Sequence, residues 1–177
     1  MKTLYDGKYL SLVSRNDWEF STRKNVKGVV EIVAITDDDE LLLVEQWREP
    51  VQSRVLELPA GLVGDIDKDE SFEEAAKREL IEETGYKAFD LFCILSSPAS
   101  AGVSDEILTY IIAKDLEKVS EGGGDDSEDI IVHKVPFKNP FTIDAENKKF
   151  RDFLKKKSKE GVLIDSRILS GIALLFL

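Results

Sequence analysis

Between Ser71 and Gly85 the chain carries both ends of one helix. Ser71 and Glu74 have the Ser-x-x-Glu spacing of a capping box, in which each residue satisfies a backbone donor of the other's turn. Ala75, Ala76, Leu80 and Ile81 recur at the spacing of an apolar helical face, and Gly85 can take the left-handed conformation that ends a helix. Around this segment the pattern is that of strands. Residues 9–14, 29–36, 41–46 and 55–58 precede it, and residues 89–95, 106–113 and 130–135 follow. The polar turn Asp37-Asp38-Asp39-Glu40 predicts that 29–36 and 41–46 form a hairpin. Pro59 stops the next strand, and 60–64, punctuated by Gly61 and Gly64, reads as a loop. Residues 147–159 and 166–177 read as a closing helical pair. One helix among strands, with helices at the end, predicts an α/β fold: an α/β/α sandwich around a mixed sheet. The 177 residues fit a single domain, and no 20–50-residue period suggests a solenoid.

Composition narrows the function. With 42% hydrophobic and 33% charged residues, the chain can build a core and stay in solution. Its net charge of −11 does not suit a nucleic-acid backbone, which requires a basic face. A small phosphorylated substrate would need metal ions or local arginines to offset that charge. The single cysteine, Cys93, excludes an internal disulfide and predicts a reducing, cytoplasmic setting. Set in the run Leu91-Phe92-Cys93-Ile94-Leu95, it reads as a small buried hydrophobe. Residues 1–7 carry no apolar signal core. The apolar stretch 168–177 is far short of the roughly 20 residues a membrane helix needs. No membrane partner is expected.

The chemistry is concentrated in Arg78-Glu79-Leu80-Ile81-Glu82-Glu83-Thr84-Gly85-Tyr86. Glu79, Glu82 and Glu83 stand at i, i+3 and i+4 and share one helical face. Arg78 can satisfy one or two of them, and a divalent cation such as Mg²⁺ would relieve the rest. Alone, three glutamates read as a solvated face. The longer spacing changes the reading: Gly64, five residues, Glu70, seven residues, then Arg78-Glu79-Leu80-x-Glu82-Glu83-x-Gly85-Tyr86. At average residue usage a chance match falls below roughly one in a million. The pattern resembles the Nudix box. Further stretches resemble the ADP-ribose pyrophosphatase branch of the Nudix hydrolases: Gln46-Trp47-Arg48-Glu49-Pro50, Leu56-Glu57-Leu58-Pro59-Ala60-Gly61, Gly102-Val103-Ser104-Asp105-Glu106, Glu128-Asp129-Ile130 and Ile164-Asp165-Ser166-Arg167. The likeness covers the chain from about Trp18 onward.

That resemblance implies an enzyme that cuts a nucleoside diphosphate sugar to a nucleoside monophosphate and a sugar phosphate. ADP-ribose leads, with GDP-mannose or a broader set as alternatives. The cofactor implied is Mg²⁺, with Mn²⁺ possible. The implied metal ligands are Glu79, Glu82, Glu83 and the carbonyl of Ala60. Glu128, in the acidic stretch 121–128, corresponds to the general base; Asp125 and Asp126 could substitute, and in some relatives a box glutamate, here Glu82, serves instead. On the substrate side, Trp18 would stack on the base and Glu19 accept from its amino group. Arg23, Arg48, Glu57 and Leu62 complete the substrate contacts, with Arg48 on a phosphate. The branch implies a homodimer, with an N-terminal β segment (1–45) used in dimerisation ahead of a core (46–177) within one domain.

Two departures stand out. Gly61 lies nine residues before Glu70, so about three residues are inserted beside the expected diphosphate site, and the part Glu70 plays there stays open. Ala101 occupies a slot where ADP-ribose enzymes typically carry proline. The competing readings are a nucleoside triphosphate pyrophosphatase of the same superfamily and a non-catalytic nucleotide sensor. Retention of all three box glutamates argues against the sensor. His133, without a visible partner, reads as structural, and Lys155-Lys156-Lys157 as a solvated helical face.

Overall fold

The computed structural model describes residues 1–124, 129–138 and 145–176. Its chain runs β1 (Lys2–Asp6), β2 (Leu10–Arg15), β3 (Trp18–Arg23), β4 (Gly28–Ala34), β5 (Glu40–Arg48), β6 (Ser53–Glu57), β7 (Ala60–Val63), α1 (Phe72–Thr84), β8 (Tyr86–Pro98), β9 (Ile107–Lys118), β10 (Ile131–Pro136), α2 (Ala145–Lys159), β11 (Leu163–Ile164) and α3 (Ser166–Leu174). Helix α1 forms where its caps predict. The Ser71 hydroxyl accepts from the Glu74 N–H at 3.2 Å, and Glu74 accepts from the Ser71 N–H at 2.8 Å. Gly85 closes the helix at φ 76°.

Two four-stranded sheets carry the core, in the orders β7-β4-β9-β8 and β10-β5-β6-β11. Strand β4 is antiparallel to β7 and parallel to β9, so the first sheet is mixed. Side chains alternate along β4. Val30, Ile32 and Ala34 pack with Ala75, Ala76 and Leu80 of α1, whereas Val29 and Val33 pack toward Phe150 of α2 and Ile168 and Ile172 of α3. Helices thus cover both faces, giving the α/β/α sandwich. Among the described residues no helix is long and apolar enough to cross a membrane.

Three local expectations fail. The predicted hairpin is a crossing between sheets. The turn closes through Thr36 N–H to Glu40 O at 2.9 Å and Asp39 N–H to Thr36 O at 3.0 Å. After the single bridge Ile35↔Leu41, however, β4 and β5 part into different sheets. Each is a continuous buried run, not an alternating one, and a strand covered on both faces needs no hairpin partner to hide a side. The predicted loop at 60–64 is largely strand β7, paired to β4 from Gly28↔Val63 to Glu31↔Ala60. Cys93 is exposed, because β8 is the outer strand of its sheet.

Strands β1, β2 and β3 form a separate three-stranded sheet. It meets the core at a short seam. Ser21 N–H donates to Val103 O at 2.9 Å, Asp105 N–H donates to Ser21 O at 3.3 Å, and Arg23 pairs with Glu106 at 2.7 Å.

Candidate active site

A cavity of about 510 Å³ opens between the box helix, β7 and the arginines of β3, β5 and α3. Helix α1 delivers Glu79, Glu82 and Glu83 to it. The Glu83 side chain is buried and accepts from the Ala60 N–H at 3.0 Å, which couples the Pro59-Ala60-Gly61 segment to the helix. Arg78 serves two of the three box glutamates, within the one or two expected, and Glu70 besides. Its Nη1 donates to Glu79 at 2.7 Å and to Glu82 at 3.2 Å, its Nε donates to Glu70 at 2.9 Å, and its Nη2 donates to Leu62 O at 3.1 Å. The planar fork of a guanidinium makes this possible.

The electrostatics follow from that crowding. Burial pushes the Glu79 carboxyl up to about 7, against the pull of Arg78 and with a further push from Glu82 and Asp65. Such a carboxylate gains from any added cation. Glu70 behaves oppositely. Its hydrogen bonds from Arg78, helped by the Gly64 N–H, hold it below the usual carboxylate range despite partial burial. Glu70 therefore ties the inserted turn back to the box helix. That turn places Asp65 and Ile66 on the cavity lining.

The arginines stand on buried acids. Arg48 donates to Glu57 from Nε at 2.9 Å and pairs through Nη2 at 2.8 Å. Arg167 reaches Glu31, Glu57 and Asp165. Glu31, 1% exposed, is pushed up to about 7 by burial, with Arg167 opposing.

Beyond β9 the chain docks on the carboxyl end of α1. Gly123 N–H donates to Glu83 O at 2.9 Å and Gly124 N–H to Glu82 O at 3.0 Å. The Ile130 N–H reaches back to Gly123 O at 3.4 Å. A Cβ on Gly122 would stand 2.4 Å from the Thr84 carbonyl carbon. Asp129 is held by Arg54 at 2.9 Å. Arg54, His133 and Lys157 all converge on the buried Glu45 at 2.8–2.9 Å, so His133 does have a partner.

Of the residues singled out from sequence, Arg23, Arg48, Ala60, Leu62, Glu79, Glu82 and Glu83 line one cavity. Trp18 and Glu19 do not. Trp18 is 62% exposed, with its indole N–H 3.4 Å from Gly102 O. Glu57 lies behind Arg48, bordering a second hollow of about 440 Å³ with Pro50, Val51 and Arg167. Glu128, Asp125 and Asp126 lie outside the described residues. Gln46, Asp65, Ile66, Glu106 and Arg167 line the main cavity without having been singled out as site residues. For Gln46, Glu106 and Arg167 the signal was present, since each stands at one end of a stretch that resembles the ADP-ribose pyrophosphatase branch.

The NUDIX domain family model matches residues 26–154, most of the chain and the whole box helix. The chain belongs to the Nudix family. Nudix hydrolases generally require a divalent metal ion. Among curated relatives, the ADP-ribose pyrophosphatase of Bacillus subtilis is 36% identical over 124 residues, 67% of this chain and 65% of its own. The methanol dehydrogenase activator of Bacillus methanolicus is 36% identical over 104 residues, 59% of this chain and 55% of its own. The GDP-mannose pyrophosphatase of Salmonella arizonae is 36% identical over 120 residues, 63% of this chain and 60% of its own. The chain thus spans less than two thirds of the length of these curated relatives. A solved structure described as an ADP compounds hydrolase superposes with a TM-score of 0.70 at 23% identity, covering 98% of this chain and 88% of that one. It shares the Nudix fold.

The Nudix donor set offers oxygen ligands alone, which suits a hard divalent cation. Among the described residues no three acidic, His or Cys side chains converge tightly enough to hold an ion. Glu79 and Glu82 are turned onto Arg78.

Proposed function

We propose that this cavity hydrolyses the diphosphate bridge of a nucleoside diphosphate sugar, ADP-ribose foremost and GDP-mannose or a wider set also admitted, giving a nucleoside monophosphate and a sugar phosphate. The observation that carries the reading is the meeting of Arg23 and Arg48 with Glu79, Glu82 and Glu83 around one cavity, in a chain of net charge −11. Guanidiniums match phosphate oxygens, and the carboxylates supply what a bridging cation needs. Relatives described as ADP-ribose and GDP-mannose pyrophosphatases support the substrate class.

Mg²⁺, with Mn²⁺ as an alternative, would be held by Glu79, Glu82, Glu83 and the Ala60 carbonyl. When bound it would lower the pKa of a water and offset charge developing on the phosphates. Arg48 and Arg23 orient the diphosphate, and Leu62 borders it. Glu128 takes the proton from the attacking water, with Glu82 the alternative base. In support, Gly124, the last described residue before it, is tethered to the Glu82 carbonyl at the carboxyl end of the box helix. Trp18 and Glu19 serve the base in a homodimer, and exposed Leu4, Tyr5, Leu12, Phe92 and Leu95 give that dimer apolar surface to cover. A reducing, cytoplasmic setting completes the reading.

The test is a Mg²⁺-dependent panel of ADP-ribose, GDP-mannose, UDP-glucose and a nucleoside triphosphate, with products resolved by chromatography. Release of nucleoside monophosphate and sugar phosphate is the expected result. Cleavage of the triphosphate alone, to pyrophosphate, overturns it in favour of a triphosphate pyrophosphatase.

A further inference from the structure

Arg167 lines the cavity from the first turn of α3, yet its donors are mostly spent inside the protein. Nη1 donates to Glu31 at 2.6 Å, Nε to Asp165 at 2.9 Å, and Nη2 to Glu57 at 3.3 Å and again to Asp165. A guanidinium carries five N–H donors, so little of this one is left for a ligand. Burial works against its charge, but Asp165, Glu31 and Glu57 more than compensate and raise its already high pKa.

Glu57 is the pivot. Its side chain is 5% exposed and lies between two guanidiniums. Oε1 accepts from Arg167 at 3.3 Å and from Arg48 Nε at 3.2 Å. Oε2 accepts from Arg48 Nε at 2.9 Å and lies 2.8 Å from Arg48 Nη2. Arg48, with 42% of its side chain exposed against 31% for Arg167, is the most exposed member of the trio. A free arginine loses substantial rotamer freedom when it grips an anion, and fixing it beforehand lowers that cost.

The geometry points to Arg167 as a positioning residue: through Glu57 it holds Arg48 in place for an anion, and so makes α3 part of the site. This rests on the reading that the cavity takes a diphosphate. Arg167 acts through another side chain and is not itself a catalytic residue.

The experiment is a double-mutant cycle on the full chain with Mg²⁺, using Arg167→Ala, Arg48→Ala and the double variant. KM and kcat for ADP-ribose are read alongside calorimetric Kd for inorganic pyrophosphate and melting temperature. The expected result is a rise of about tenfold in pyrophosphate Kd and in KM for each single variant, with kcat little changed and the double variant no worse than Arg48→Ala. Effects that multiply would overturn the relay, as would pyrophosphate binding unchanged in Arg167→Ala. Arg167→Lys keeps the charge but, as a compact ammonium, cannot reproduce the planar fork that spans the three carboxylates. It is expected to recover the melting temperature and not the Kd; full recovery of Kd would mean that charge alone matters and would also overturn the inference. Should Arg167→Ala fail to fold, Glu57→Gln cuts the same link and is expected to raise Kd to the same degree; an unchanged Kd there also overturns it. A wild type that neither binds pyrophosphate nor cuts any diphosphate sugar would remove the substrate reading itself, an outcome distinct from variants that bind as well as a competent wild type.

Discussion

Gly61 and the Glu79 carboxyl occupy space that a single methyl group would fill: a Cβ at position 61 would stand 1.9 Å from Glu79 Cδ and 2.0 Å from its Oε1. The close approach fixes where the carboxylate can lie. Gly61→Ala is therefore expected to push Glu79 off its place beside Arg78 and lower turnover by about 10²-fold, the scale of losing one preorganised charge contact. Steady-state hydrolysis of ADP-ribose together with the melting temperature checks this. A variant of unchanged melting temperature and unchanged turnover would show that Glu79 moves freely without cost.

Glu83 is buried and bound to the Ala60 N–H. Glu83→Gln keeps its size and loses its charge. Weaker metal dependence and a fall in turnover of about 10²-fold or more are expected. A Mg²⁺ titration of activity reads both, and near wild-type behaviour would end the metal assignment of this residue.

Gly122 and Gly161 form an internal contrast. Both have positive φ, 69° and 86°. A Cβ at 122 would strike the backbone of Thr84 and Gly85, whereas one at 161 meets nothing within 4 Å. Gly161→Ala should cost about 1 kcal/mol, the left-handed strain alone. Gly122→Ala should cost clearly more and also disturb the carboxyl end of α1 that carries Glu82 and Glu83. Urea denaturation of the two variants decides it, and equal losses would contradict the docking of the glycine stretch.

Glu45 supplies a pH dependence. Burial disfavours its charge, but hydrogen bonds from Lys157, His133 and Arg54 win and hold its carboxyl below the ordinary 4.5. With the folded value depressed, its stabilisation is present above pH 4.5 and is lost as pH falls through the folded value. Glu45→Gln should thus be less stable than the wild type at pH 7, by about 3 kcal/mol for a broken buried ion cluster. The two should converge in acid. Urea midpoints at pH 7 and pH 3 test this, and a constant gap would reject it.

Helix α1 was legible because its signals are local: a capping box, an apolar face and a terminal glycine. The three box glutamates were legible for the same reason, since i, i+3 and i+4 fix a shared face without knowledge of the fold. The crossing from β4 to β5 was not, because a turn of Asp and Glu looks alike whether its flanking strands pair or part. Arg167 and Glu31, 136 residues apart, meet only through the packing of α3 on β4. Cys93 sits in an apolar run whose exposure depends on β8 being outermost, a property of strand order and not of composition.

The seam between the N-terminal sheet and the core has a mechanical consequence. Ser21 and Arg23 fasten that sheet to residues 103–106, and Arg23 and Glu106 are also part of the cavity lining. One pair of side chains, Arg23 and Glu106, belongs to both the bolt and the doorway. A ligand that draws on Arg23 competes with Glu106 for the guanidinium, so filling the cavity and loosening the sheet's attachment become linked events.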